Sequence, residues 1–456
     1  MAELEVVNEA FEQPAPLRGL FVLGPPLLLM VVALLLGGAS RLNPLGLMVA
    51  EIFGLLALAP AALRSPDLIY SRLGLTALLI LALTAALPLM QLMPLPPDVW
   101  KGLPGRAPLA HAVSLLGLPD RWRPMSLAPD QTAGAIFFLL APIGMFVAAL
   151  QCNARQRFWL VIVVIVIAVL SLPVGGIQAA TGSSTRAQFY AAATAGLPNG
   201  FFANRNHQAS FLISAMALSA VLLGPHPLPG DLGRRPLPIV GLMLLFAVGA
   251  AATLSRAGLF LAGPVMVGAM VVMYPRLRGS GSLGRIAILI GVVLAIVTAV
   301  AVVKGGALFS RLEAGTGVAG RISILPKVIE AGGALQPVGS GIGAFDTVYR
   351  AVEPLDQVMP AYLNHVHDDY VELWLEAGWP AVGLIAAMIA WCGYAAFRAW
   401  TGPARADSAL ARAGSLAAAV FLIHSTVDYP LRTPALAVVF ALACALMVPT
   451  PVKRGG

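Results

Sequence analysis

Three arginines lie beside long apolar stretches, where their charge could do chemistry next to a membrane. Arg205 lies just before one stretch, Arg256 lies in the short polar turn between two others, and Arg321 begins a segment with helical spacing. A guanidinium binds phosphate oxygens through two parallel hydrogen bonds and stays protonated at any relevant pH. We expect the three to converge at one membrane-proximal level. The alternative is that each arginine only anchors a helix end in the headgroup layer.

Composition predicts the elements that position these arginines. Of 456 residues, 59% are apolar and 11% are charged, against roughly 25% charged residues in soluble domains, which excludes a soluble globule. The apolar runs are about 17 to 23 residues long, enough to span a bilayer. The predicted fold class is all-α, a polytopic membrane protein of about twelve transmembrane helices, near residues 20–39, 42–63, 72–93, 131–151, 158–180, 208–224, 237–254, 258–275, 285–303, 379–397, 410–427 and 432–449.

The basic residues predict the orientation of these helices. With both termini in the cytoplasm, 15 of the 29 Lys and Arg residues face the cytoplasm, and 5 face the other side outside its two long loops. This asymmetry follows the positive-inside rule. The pI near 9.7 is thereby explained by topology and gives no reason to expect a nucleic-acid partner.

The predicted division of the chain follows from these spans. It comprises a cytoplasmic segment at 1–19, transmembrane helices 1–9 at 20–303 with an outer loop at 94–130, a large outer loop at 304–378, transmembrane helices 10–12 at 379–449 and a cytoplasmic tail at 450–456. Within the large loop, the spacing over 321–331 predicts a short interfacial helix. GSGIGAF at 339–345 is interpreted as a flexible turn that re-enters the membrane; the alternative is a Gly-rich turn that binds phosphate.

Neither a disulfide framework nor a metal site is predicted. Cys152, Cys392 and Cys444 fall in or beside apolar runs without paired spacing and are interpreted as small hydrophobic residues. No cluster of His, Asp and Glu on the outer side has the spacing of metal ligands. We therefore expect no metal and no other cofactor.

Four acidic residues are interpreted as structural. Glu51 is the only acid placed in the middle of a span, and we expect it to hydrogen-bond a neighbouring helix. Glu372 and Glu376 follow Asp368 at four-residue steps, which places all three on one helical face. We expect this face to be solvated or to complement the helix N-terminus.

Three ordered stretches resemble one known family. They are FFANRNHQASFL at 201–212, LSRAG at 254–258, and a block from GRISIL at 320 through PVGSGIGAF at 337 to HVHDDYVELWLEAGWPAVG at 365–383. In this order among the predicted spans, they resemble the O-antigen ligase and O-antigen polymerase superfamily of bacterial envelope glycan assembly. The resemblance covers roughly residues 130–450.

The resemblance implies a metal-independent, inverting glycosyltransferase in the bacterial inner membrane, with its active site and both long loops facing the periplasm. Its donor would be a glycan linked to undecaprenyl diphosphate. Its acceptor would be a hydroxyl of a lipid A core sugar for a ligase, or of a lipid-linked glycan for a polymerase. The implied partners are these lipids, the bilayer and other polysaccharide assembly proteins.

The resemblance also implies the site residues. His367 matches the histidine of the family's HNDY-like element, here HDDY, and would orient or deprotonate the acceptor hydroxyl. His365 stays open as an alternative, and Asp368 replaces the usual Asn. The predicted catalytic residues are His367, Arg321, Arg256 and Arg205, and the predicted substrate-binding residues are Asn204, Asn206, His207, His365, Tyr370 and Asp428.

Three of these predictions have structural alternatives. His367 could be an exposed loop histidine beside solvating acids. Asn204 precedes a predicted helix, and an Asn in that place is commonly a helix cap. Asp428 belongs to HSTVDYPLRTPA at 424–435, which resembles the family's closing region. We expect Asp428 to pair with Arg432 and thereby position the site.

Two other classes of function fit the sequence less well. A transporter or lipid-linked glycan flippase would show repeated halves and ionisable groups near the bilayer middle, but we find no convincing repeat, and the ionisable residues crowd the outer loops. A scaffold protein would not require arginines that converge at one site. The polymerase stays close to the ligase, because Gly332 follows Arg321 with ten residues between them, a spacing resembling a polymerase signature.

Overall fold

The structure is a computed structural model that describes most of the chain. Within the described part, nearly all regular structure is helical, which confirms the all-α fold class. The described residues are 16–40, 43–62, 68–69, 71–182, 187–191, 193, 196–223, 235–278, 284–287, 291, 319–355, 358, 363–403, 405, 407–450 and 452–453.

The helices follow one another with short connections. In chain order they are α1 (Pro16–Leu36), α2 (Pro44–Ala57), α3 (Ala59–Ala62), α4 (Arg72–Gln91), α5 (Pro97–Lys101), α6 (Ala107–Leu115), α7 (Pro129–Gln151), α8 (Ala154–Ala180), α9 (Arg205–Ser219), α10 (Pro236–Ala252), α11 (Arg256–Leu277), α12 (Ala319–Gly333), α13 (Phe345–Val352), α14 (Asp369–Thr401), α15 (Ser408–His424) and α16 (Pro434–Met447). Short 3₁₀ helices lie at Ala220–Leu222 and Pro430–Arg432.

Two short antiparallel pairs complete the described regular structure. β1 (Leu68–Ile69) pairs with β4 (Val452–Lys453), so the C-terminal tail meets the connection before α4. β2 (Pro94–Leu95) pairs with β3 (Arg123–Pro124) and closes the base of the first long loop.

Seven described helices are long and apolar enough to cross a membrane: α1, α2 with its continuation into α3, α4, α7, α8, α11 and α14. Three shorter apolar helices, α10, α15 and α16, are also present. These helices confirm a polytopic membrane protein. The count of twelve stays a prediction, and the span predicted near 285–303 falls almost entirely outside the described residues.

Two short helices form the centre of the bundle. Every residue from His207 to Ser219 in α9 is buried, and α16 is buried along almost its whole length. A helix that is covered on all sides needs no polar face. The polar side chains His207, Gln208 and Ser210 near the start of α9 are therefore held inside the protein.

The helices that flank the site begin at side-chain caps. The Asn204 side chain accepts a hydrogen bond from the backbone N–H of Asn206, and the Ser255 hydroxyl accepts one from Gly258. The Asp368 carboxylate accepts hydrogen bonds from the first turn of α14. Each cap satisfies N–H groups that have no partner within the helix, so the motif residues themselves fix where these helices start.

The Gly-rich turn after α12 is tightly packed, and its predicted flexibility is wrong. Gly339, Gly341 and Gly343 have φ of 76°, 108° and 89°, values that favour glycine. The turn hydrogen-bonds the last residues before a break in α14 at Gly378, through Ser340 N to Leu375 O at 3.1 Å and through Gly341 N to Glu376 O at 2.8 Å. The short helix predicted over 321–331 is confirmed as α12.

Two intramembrane predictions have different outcomes. Glu51 is half-buried in a lateral groove lined by Met48, Ile52, Phe137 and Leu140. Its carboxylate has no hydrogen-bond partner within the described part of the chain, so the expected bond to a neighbouring helix is wrong, because α7 presents apolar side chains there. The three cysteines are buried and free, as predicted.

Candidate active site

The turn between α15 and α16 holds a buried carboxylate at the centre of the site. Asp428 accepts hydrogen bonds from Asn206 Nδ2 at 2.7 Å, from Asn204 Nδ2 at 3.3 Å and from the backbone N–H of Tyr429 at 3.0 Å. His367 Nδ1 lies 2.9 Å from its Oδ1. Burial alone would raise the pKa of Asp428, but the His367 hydrogen bond and the surrounding histidines hold it well below its usual range. Asp428 is therefore an anion that orients its neighbours.

His367 has the geometry of a general base. Its backbone has φ of 63°, a left-handed conformation that is uncommon outside glycine and costs free energy. Its ring rests on Tyr429, with the centroids 4.8 Å apart, and its side chain is 15% exposed. Since Nδ1 is bonded to Asp428, Nε2 is left without a hydrogen bond within the described residues. Nε2 is then the nitrogen that can take a proton from an outside hydroxyl.

His365 is held on both sides. Its Nδ1 lies 2.8 Å from Glu372 Oε1, its Nε2 lies 3.1 Å from Ser40 Oγ, and its ring is buried against Tyr429. Both nitrogens are therefore engaged. This geometry favours His367 over His365 as the base.

Arg432 does not pair with Asp428, and that prediction is wrong. Its guanidinium contacts three carboxylates of α14, with Nη1 at 3.0 Å from Glu372, Nη2 at 3.0 Å from Glu376 and Nε at 3.3 Å from Asp369. Although burial lowers the pKa of Arg432, the three carboxylates outweigh it and raise that pKa above its usual range. Arg432 thus clamps the 3₁₀ turn onto α14.

Of the two interpretations of the acidic face of α14, solvation is wrong, whereas the complement to the helix N-terminus is confirmed at Asp368. Glu372 and Glu376 are fully buried, and Asp369 joins them, whereas Asp368 is the helix cap. Residues at spacings of three and four lie on one side of a helix, and in this structure the turn carrying Arg432 covers that side. The backbone N–H groups of Val366 and Phe345 also bond Glu372 and Glu376. The face therefore joins three segments of the chain.

The structure places two of the three predicted arginines at neighbouring helix starts. Arg205 is half-buried, and its Nη1 donates to the carbonyl of Thr253 at 3.2 Å, in the turn just before Arg256. The two helices touch nearby, because a Cβ on Gly258 would lie 2.8 Å from Ala209 Cβ. Arg256 is exposed. Arg321 lies in α12, and its side chain falls outside the described part of the structure.

The predicted substrate-binding residues are brought together around Tyr429 and Asp428. Asn204 and Asn206, on either side of Arg205, both donate to Asp428. His207 is buried with its ring edge on Tyr429 and has no hydrogen bond within the described part of the chain. Tyr370, in the first turn of α14, instead donates its hydroxyl to Leu422 O in α15 at 2.6 Å. Whether any of them contacts a substrate stays a prediction.

Sequence reasoning missed several residues of this centre. Tyr429 contacts the rings of three histidines, and Ser425 bonds Asp369. His424 Nδ1 contacts Ser210 Oγ between α15 and α9. An aromatic residue directly after Asp428 was a usable signal for Tyr429. Nothing in the sequence indicates which carboxylates pair with Arg432.

The comparisons with known proteins agree with the motifs. No curated protein matches the chain. A family model described as O-antigen ligase matches residues 241–386, which include Arg256, Arg321, the Gly-rich turn, both histidines and the carboxylates that Arg432 contacts. This match confirms the predicted resemblance over residues 241–386, where the chain is similar to the O-antigen ligase and polymerase superfamily.

Proposed function

We propose that the protein is a ligase-type membrane glycosyltransferase. It transfers a glycan from an undecaprenyl-diphosphate carrier to a hydroxyl of a lipid A core sugar at the periplasmic face of the inner membrane. The family match supports a ligase or polymerase of this superfamily in a polytopic membrane protein. The observation that supports transfer to a hydroxyl is the geometry of His367, whose Nδ1 is bonded to Asp428 while Nε2 has no hydrogen bond within the described residues.

The chemistry begins at the acceptor hydroxyl. Its oxygen attacks the anomeric carbon of the donor while its proton passes to His367 Nε2. Asp428 stabilises the imidazolium that forms, since the carboxylate stays ionised next to it. Attack from the face opposite the leaving group inverts the anomeric centre.

The leaving group takes up the bonding electrons. As the bond between the anomeric carbon and the diphosphate oxygen breaks, negative charge grows on the diphosphate. Arg205 and Arg256 begin adjacent helices, and Arg205 lies between two residues that bind the same carboxylate as His367. Forked hydrogen bonds from these arginines and Arg321 would stabilise that charge without a metal.

A reconstituted transfer assay tests this proposal. The purified protein in proteoliposomes receives a glycan linked to undecaprenyl diphosphate together with lipid A core acceptor, and the product is resolved on a gel. We expect transfer to the core, lost in His367→Ala while donor binding is retained. Transfer that survives His367→Ala would contradict the role of this histidine.

A deletion strain distinguishes the ligase from the polymerase. For a ligase, we expect the glycan to be lost from lipopolysaccharide while lipid-linked polymer accumulates. Products with a single repeat unit would instead identify a polymerase. An unchanged glycan profile would contradict both activities.

A further inference from the structure

The first long loop forms a rigid lobe beside the candidate site. We define this outer lobe as residues 94–128. The pairing of β2 with β3 closes its base, and the buried Trp100 donates its indole N–H to Pro124 O at 2.9 Å. Buried Arg106 donates to Met125 O at 2.6 Å and to Gly339 O at 3.0 Å, in the Gly-rich turn. The lobe is thus fixed to the segment that packs against α14.

Part of the surface of this lobe is apolar and is not covered by the described part of the chain. Helix α6 has no buried residue. Leu115 is 74% exposed, Leu116 is 72% exposed and Trp122 is 63% exposed, and Leu118 is exposed as well. Large apolar side chains held outward on a rigid support indicate a contact surface, and nothing in the described part of the chain covers them.

The chain enters this lobe directly from the lipid-facing side of α4. Along that helix, Leu75, Leu79 and Leu83 are exposed at four-residue spacing, as expected for a spanning helix that faces lipid. Exposed apolar residues continue in the last turn of α4 at Met90 and beyond its end at Met93, just before the lobe begins. A chain that leaves the bilayer core with its apolar side uncovered remains at the membrane boundary.

The polar residues of the lobe are those of a membrane interface. Trp122 lies between Arg121 and Arg123, and the Arg123 guanidinium lies 5.5 Å from the centre of the Trp100 ring. Tryptophan concentrates at the headgroup level, and arginine is attracted to anionic lipid phosphates. Lys101 is paired with Asp120 at 2.6 Å, so Arg121 is the exposed cation best suited to a headgroup.

We propose that the outer lobe docks on the membrane through Leu115, Leu116, Leu118 and Trp122, at the boundary between headgroups and acyl chains. Its partner is the phospholipid of the leaflet on the side of the candidate site. Because Arg106 ties the lobe to Gly339, this docking also fixes the depth of the Gly-rich turn relative to the bilayer.

Fluorescence quenching tests this docking. The full chain with Leu116→Cys carries an environment-sensitive dye in vesicles of phosphatidylethanolamine and phosphatidylglycerol. The three native cysteines are buried and stay unlabelled. The matched control is Thr347→Cys, on the exposed polar side of α13. We expect acyl-chain nitroxide lipids to quench the dye at 116 several-fold more than at 347, and aqueous iodide to show the reverse order.

Two outcomes would overturn the inference. Equal iodide quenching at both positions would show that the lobe stands in water. A dye at 116 shielded from both quenchers would show that protein, such as a second copy, covers the lobe. Each labelled variant must elute like the unmodified protein. The readout measures membrane contact rather than turnover, so it succeeds or fails separately from the proposed activity.

Discussion

At the scale of single residues, the site depends on how a carboxylate orients an imidazole. Asp428 holds His367 through Nδ1 and also accepts from two asparagine amides, so its oxygens are almost fully engaged. An anion satisfied in this way stays in place during the reaction. His367 and Asp428 therefore act as one unit, although they lie 61 residues apart.

Asp428→Asn tests that unit. The amide keeps the size of the side chain but removes the charge that stabilises the imidazolium, so we expect transfer to fall by about 10²- to 10⁴-fold. The measurement is the transfer rate in proteoliposomes at matched protein content. Glu330→Gln, at an exposed carboxylate paired with Lys327, is the control and should leave the rate unchanged. A rate within twofold of normal for Asp428→Asn would refute the orienting role.

Lysine substitutions separate charge stabilisation from helix anchoring. If Arg205, Arg256 and Arg321 hold the diphosphate by forked contacts, lysine at each position should fail almost as badly as alanine, because a point charge cannot make two parallel hydrogen bonds. Each loss should lower turnover by about 10²- to 10³-fold. Anchoring predicts instead that lysine restores activity. Near-normal transfer by two of the three lysine variants, at normal expression, would end the three-arginine proposal.

At the scale of elements, the break in α14 shapes the site. Gly378 has φ of 64° and ψ of −151°, a region open almost only to glycine. A Cβ there would lie 2.0 Å from Pro337 O. The break seats the Gly-rich turn against the end of the helical segment that carries Glu372 and Glu376, so backbone geometry supports the clamp made by Arg432.

Gly378→Ala should destabilise this region. The strained backbone costs about 1–3 kcal/mol, and the contact with Pro337 adds to it, so we expect a lower unfolding temperature in detergent. Gly383→Ala, five residues further along the same helix, is the matched control. Nothing lies within 4 Å of its added Cβ, and alanine should leave stability unchanged or raise it by about 0.5–1 kcal/mol. Equal thermal stability of the two variants would argue against strain at Gly378.

Sequence patterns predicted the elements better than their contacts. Apolar run length located the helices, and short motifs located Arg205, Arg256 and His367, because both signals are local in the chain. The partner of Arg432 could not be predicted, since Asp428 and the carboxylates of α14 were all plausible until the turn was placed. The packed Gly-rich turn was missed for a related reason: glycine permits a flexible loop and a tight backbone contact equally well.

At the scale of the whole molecule, the orientation decides which side does the chemistry. A cysteine at Thr347, on the exposed side of α13, should react with an impermeant maleimide in whole cells. A cysteine at the exposed Arg398, near the end of α14, should react only after the cells are opened. We expect this orientation because basic residues are retained on the cytoplasmic side of a membrane. The opposite labelling pattern would place the proposed site in the cytoplasm, where the proposed transfer does not occur.

The clamp at Arg432 also sets an order for biogenesis. Its partner Glu376 is synthesised 56 residues earlier. At a translation rate of about 5–20 residues per second, Arg432 is therefore added several seconds after this carboxylate. During that interval, burying the carboxylate would carry an uncompensated charge penalty. A nascent chain that stops before residue 432 lacks Arg432, so the three carboxylates of α14 lack this cation. We expect such truncated chains to be recognised by membrane quality-control proteases even though nearly all of their apolar segments are complete.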